Sequence, residues 1–216
     1  MTEVPVPELS GAPATRTLGP ARAMVVVVLG LSATGVLIGG LWAWIAAPIH
    51  AVVALNHTGE RVHDYLGSES DHFFVAPCLM LGLLTVVAVV ASVLAWQWRN
   101  QRGPGMVIGL SIGLVIGAAA AAAVGALLVR LRYGALNFGA IPLSSEHKVA
   151  YVVQAPPVLF AHGPLQVAAT LIWPVGIAAL VYAVLAAANA RDDLGGLPVP
   201  DQPSPALPME PEASVS

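Results

Sequence analysis

Charge is what this chain has least of. Of its 216 residues, 10% are Asp, Glu, Lys or Arg, where a soluble domain carries about a quarter. A water-facing surface cannot be built from so few ionic groups, which excludes an ordinary soluble domain. Cysteine occurs once, at Cys78, so an intrachain disulfide is excluded. Lysine also occurs once, at Lys148, and the net charge is −3. That balance gives no electrostatic basis for binding nucleic acid. Four long apolar stretches hold no Asp, Glu, Lys, Arg or His. The intramembrane charge that usually marks an ion or proton pathway is therefore missing.

What is present is apolar length. The chain is 57% hydrophobic, and its stretches at 24–47, 74–96, 106–129 and 166–188 each reach the roughly 20 residues that cross a bilayer as a helix. In lipid the backbone must satisfy its own hydrogen bonds, so all four are expected to be helical. The expected fold is an all-α integral membrane protein: a four-helix transmembrane bundle over residues 23–190 with two outer loops. The first run is too long, and lies too far from the N-terminus, to be a cleaved signal's apolar core of roughly 7–15 residues. An uncleaved anchor fits it. Residues 1–22 carry Pro5, Pro7, Pro13 and Pro20. Residues 191–216 carry six prolines with Asp192, Asp193, Asp201, Glu210 and Glu212. Neither tail has core-forming periodicity, so both are expected to be disordered.

Basic residues near span ends set orientation. With both termini in the cytoplasm, Arg16, Arg22, Arg99, Arg102 and Arg191 lie inside, and Arg61, Arg130, Arg132 and Lys148 lie outside. The short link at 99–104 has two arginines and no acid, whereas the loop at 50–72 sets Arg61 against Glu60, Asp64, Glu69 and Asp71. Cytoplasmic termini are therefore expected, with Arg130 and Arg132 snorkelling to the outer interface. The pairs Trp42/Trp44 and Trp96/Trp98 would mark opposite interfaces. The excess of arginine over lysine, with abundant alanine and valine, points to a high-GC bacterial genome and so to a bacterial plasma membrane.

The third apolar stretch carries Gly105, Gly109, Gly113 and Gly117, then Ala121 and Gly125, each four residues apart. This small-xxx-small pattern allows close backbone approach in lipid. Gly35 and Gly39 repeat the spacing in the first stretch and make it a plausible partner. A second copy of the chain, or another membrane protein, is the other expected user of the ladder.

All six histidines (His50, His57, His63, His72, His147 and His162) lie in the two stretches that would share the outer face. For a metal site the candidate ligands are His57, His63, His72 and His147, which lie near acids and span both loops. Were 50–64 helical, His50, His57 and Asp64 would share a face. Glu60-Arg-Val-His63 and Glu69-Ser-Asp-His72 are both E-x-x-H, but di-metal centres draw that motif from separate long helices with further glutamates. The competing reading is that these histidines cap helices, bond loop backbone or face solvent. A pH-sensing face is a further alternative. Ser68, Ser70, Ser144 and Ser145 have no nucleophile-elbow context. No catalytic residue, enzymatic activity or cofactor is expected.

Four segments carry a resemblance: DHFFVAPCLMLGLL at 71–84, WQWRNQRGPGMVIGLSIGL at 96–114, VRLRYG at 129–134 and APPVLFAHGPLQ at 155–166. From Leu41 to Asp193 the chain is similar to a family of small actinobacterial (mycobacterial) membrane proteins classed as a domain of unknown function. The resemblance implies a four-span inner-membrane protein and transfers no activity, ligand or site residue. The expected role is a non-enzymatic accessory or scaffolding subunit whose partners are the lipid bilayer and another membrane protein or itself. The alternative is a transporter-like protein, or a metal or pH sensor, using the outer histidines.

Overall fold

A computed structural model of the chain describes residues 19–99, 103–143 and 147–188. The expected tails, apart from residues 19–22, lie outside the described residues, as do Arg102, Ser144, Ser145, Glu146 and Arg191. Four helices dominate: α1 (Pro20–Ile45), α2 (His72–Gln97), α3 (Pro104–Tyr133) and α4 (Pro164–Ala187). All four are long and apolar enough to cross a membrane.

The helices begin earlier than hydropathy alone indicates, and α3 ends later. Prolines open α1, α3 and α4, where the first turn needs no N–H and the fixed φ suits the helix. Residues 20–22, expected in a disordered tail, are thus helical. α3 runs on past the apolar stretch through Arg130 and Arg132 and is about 45 Å long at 1.5 Å per residue. Gly134 stops it with a φ of 74°, a left-handed conformation that glycine adopts without steric cost.

The all-α expectation is corrected in one respect. The connections at the far ends of α1 and α3 fold into a three-stranded antiparallel sheet, β1 (Ile49–Leu55), β2 (Arg61–Tyr65) and β3 (Val149–Gln154), in the order β2-β1-β3. β1 and β2 form a hairpin. Its turn is held by Asn56, whose Oδ1 accepts from the Thr58 N–H at 2.9 Å and the Glu60 N–H at 2.9 Å. Gly59 supplies a φ of 80° there. β1 also pairs with β3, from Ile49 opposite Gln154 to Ala54 opposite Val149. The α1–α2 and α3–α4 connections are thereby joined at one end of the bundle. A helix over 50–64 is ruled out: His50 lies in β1, His57 in the turn and Asp64 in β2.

α1 packs along α3, while α2 and α3 both pack on α4. Near the sheet the core is built on Trp42, Ala76, Met80, Leu84, Ala121 and Val129. Towards the other end it is built on Ala88, Met106, Leu110, Leu114 and Ala178. Each tryptophan pair splits between two environments. Trp42 is 0% exposed and donates from Nε1 to the Ala76 carbonyl at 2.8 Å, whereas Trp44 is 78% exposed. Trp96 is buried against Tyr182 and Trp98 is exposed. One member of each expected interfacial pair is therefore a core residue. Pro77 and Pro174 are buried within helices that continue through them.

Candidate functional site at the sheet end

The histidines are distributed along the sheet end rather than gathered. His50 and Glu69 form the clearest pair. The Glu69 Oε2 accepts from the His50 backbone N–H and lies 2.7 Å from His50 Nδ1. Glu69 belongs to a 3₁₀ turn (Glu69–Asp71) ahead of α2, so this pair ties β1 to the head of that helix. The backbone N–H of His50 holds the Glu69 carboxyl below its ordinary pKa, against some opposition from desolvation, with the imidazoles of His50 and His72 adding to the lowering. His72 opens α2, with Nδ1 3.1 Å from the Pro48 carbonyl. The His63 ring stacks on Phe138 at 4.7 Å. His57 is exposed at the hairpin tip, and His147 precedes β3.

Among the described residues, no three of His, Cys, Asp and Glu are placed to hold a metal ion. The glutamates of the two E-x-x-H fragments are used locally. Glu60 sits within 3.3 Å of Asn56 Nδ2 in the hairpin turn, and Glu69 takes His50.

The two faces of the sheet differ. On one, Ile49, Ala51 and Val53 are buried. The α3–β3 connection is fastened to β2 on the same face. Arg61 Nη1 donates to the Phe138 and Ile141 carbonyls at 3.1 and 2.7 Å, and Tyr65 meets Phe73 edge-on at 5.2 Å. On the other face Val62, Val149, Tyr151 and Val153 are exposed, Tyr151 at 75%, with His50 and Asp64 on the same face. Exposed apolar residues clustered on one face, rimmed by polar ones, mark an interaction surface.

Beside the sheet lies a cleft of about 520 Å³, walled by the end of α3, the head of α2 and the segment from Gln154 to His162. Arg130 and His162 stand at it, Ala122 and Ala126 lie along one wall, and no acidic residue lines it. Gln154 Oε1 is buried in this region with no hydrogen-bond partner. The sequence had marked Arg130 only for topology and His162 only as one of six histidines, and it had passed over Gln154.

The ladder glycines face α1. A Cβ on Gly35 would run into the Gly117 carbonyl, and one on Gly39 would lie 2.5 Å from the Ala121 oxygen. From the α3 side, Gly109 faces Met24, Gly113 faces Val28 and Leu31, and Gly117 faces the Leu31 carbonyl at 2.7 Å. Gly125 faces the Trp42 ring at 3.0 Å and the Met80 methyl at 3.4 Å. The contacts climb both helices in step, so α1 and α3 run parallel. Gly105 has nothing within 4 Å and takes no part. α1 thus lies along the ladder from Gly109 to Gly125.

Residues 31–196 match the family described as "Protein of unknown function (DUF2567)". An uncharacterised protein of Mycobacterium leprae is 79% identical over 175 residues, covering 81% of this chain and 88% of its own. One of Mycobacterium tuberculosis is 69% identical over 178 residues, covering 82% and 92%. No solved structure matches the chain.

Proposed function

We propose a function for a chain that belongs to the DUF2567 family of proteins of unknown function. It is a non-enzymatic accessory or scaffolding subunit of the bacterial plasma membrane, in which four helices hold a small sheet at the outer surface for a partner membrane protein. The termini lie in the cytoplasm in this reading, by the arginine balance of the short link and the tails. The observation that carries the proposal is the apolar outward face of Val62, Val149, Tyr151 and Val153. The glycine ladder packs on α1, and the sheet offers a partner surface at this end. Loops alone would hold such side chains loosely. Pairing of β1 with both neighbours fixes them on one face.

The test is co-purification from native membrane with the full-length tagged chain. A companion present in near-stoichiometric amount should be lost in Tyr151→Asp/Val153→Asp and kept in Trp44→Ala, whose side chain is exposed on α1. A companion retained by the sheet variant, or none enriched with wild type, would contradict the proposal.

A further inference from the structure

The cleft beside the sheet combines an apolar trough, a cation and a buried amide oxygen. Its wall on α3 is the row Ala122, Ala126 and Arg130. These residues are four apart and lie on one side of the helix, so the two alanines sit about 12 and 6 Å below the arginine along the axis. Small side chains at these positions leave a trough leading from the apolar part of the span to a guanidinium. Phe73, Val158 and Phe160 supply further apolar wall, and Phe160 packs against Phe74 at 5.5 Å. Arg130 is the one formally charged residue lining the cleft, and among the described residues its guanidinium has no ion pair. A cation without an acid at the end of an apolar trough is complementary to an anion with an apolar tail. Gln154 adds a second, independent feature. Its Oε1 is buried without a partner, which costs free energy unless something meets it. Either end of that amide can use a polyol phosphate: the oxygen accepts from a hydroxyl, and the amino group donates to a phosphate oxygen.

We propose that this cleft is a binding site for an anionic phospholipid with free hydroxyls in its headgroup, its phosphate at Arg130 and His162, its headgroup hydroxyl at Gln154 and one acyl chain along Ala122 and Ala126. Arg130 supplies charge-assisted hydrogen bonds to the phosphate. The alanine trough selects for an acyl chain and against a soluble phosphate. The proposal is independent of the partner role of the sheet, because the cleft and the outward sheet face share no residue.

The experiment uses the full chain purified in detergent and measures lipid retention by native mass spectrometry. The probes are dioleoyl phosphatidylglycerol, dioleoyl phosphatidylcholine and glycerol 3-phosphate. Wild type should retain phosphatidylglycerol well above phosphatidylcholine and should not retain glycerol 3-phosphate. Loss of a charge-assisted contact should weaken phosphatidylglycerol binding about tenfold or more in Arg130→Gln. Gln154→Leu should weaken it by a smaller factor. Ala126→Trp should block the trough, with circular dichroism reporting whether that variant folds. Arg132→Gln, two residues along and on the opposite side of α3, outside the cleft, should bind as wild type. Equal loss in Arg130→Gln and Arg132→Gln would mean diffuse surface charge and would overturn the site. Equal retention of the two lipids would overturn it as well, and retention of glycerol 3-phosphate would make it a site for a soluble anion.

Discussion

Adding one methyl group at Gly35 should separate the α1–α3 contact from every other feature of the bundle. The Cβ of Gly35→Ala would collide with the carbonyl oxygen, carbonyl carbon and Cα of Gly117. All three are backbone atoms that no rotamer change can move aside, so α1 must shift along its length. Overpacking of this kind costs about 1–3 kcal/mol. The control is Gly30→Ala on the same helix, where an added Cβ meets nothing within 4 Å. Alanine there removes glycine's conformational cost and should be neutral or stabilising by about 0.5–1 kcal/mol. For a chain of this size, 1 kcal/mol moves the melting temperature by roughly 2–4 °C. Gly35→Ala should therefore melt about 6 °C below wild type, and Gly30→Ala at or slightly above it, as read by thermal unfolding in detergent. Equal melting temperatures for the two variants would refute the close contact between α1 and α3.

Three further outcomes follow from the same geometry. Trp42→Phe should cost about 1 kcal/mol, from the lost Nε1 bond to the Ala76 carbonyl, and Trp42→Ala about 3–5 kcal/mol from the cavity, in detergent unfolding titrations. Arg61→Met should raise hydrogen exchange at 138–141, where the guanidinium holds two carbonyls, and leave the helices protected. The contribution of Glu69 should depend on pH. Its folded pKa is lowered, so the stabilisation is present above the ordinary carboxyl value of about 4.3 and is lost as pH falls through the lower folded value. The melting-temperature difference between wild type and Glu69→Gln should thus be present at about pH 5 and shrink below about pH 4.

The helices were legible because hydropathy over twenty residues is a strong signal that needs no tertiary information. Their ends were less so: Pro20 and Pro104 start helices by fixing φ, and Arg130 and Arg132 stay helical outside the apolar stretch. The glycine spacing named α1 as a plausible neighbour of α3, but spacing cannot tell that Gly105 faces open space. The sheet was missed. Its strands IHAVVAL and VAYVVQ are apolar on both faces, so the two-residue alternation that marks a half-buried strand is blurred. The pairing of Ile49 with Gln154 joins segments that no local pattern connects. The cleft was invisible for the same reason. Arg130, Gln154 and Phe73 belong to three separate elements, and only the fold brings them to one wall.

The central proposal is that the α1–α2 and α3–α4 connections form one sheet on the outer surface of the membrane. Val52 and Tyr151 are cross-strand partners in β1 and β3 and offer a direct test in a Cys78→Ser background. In intact cells, Val52→Cys and Tyr151→Cys singly should each react with a membrane-impermeant maleimide. The double variant should form a disulfide and resist labelling until an impermeant reductant is added. Double-variant labelling equal to the sum of the singles would contradict the sheet, and singles that label only after lysis would contradict its placement on the outer face.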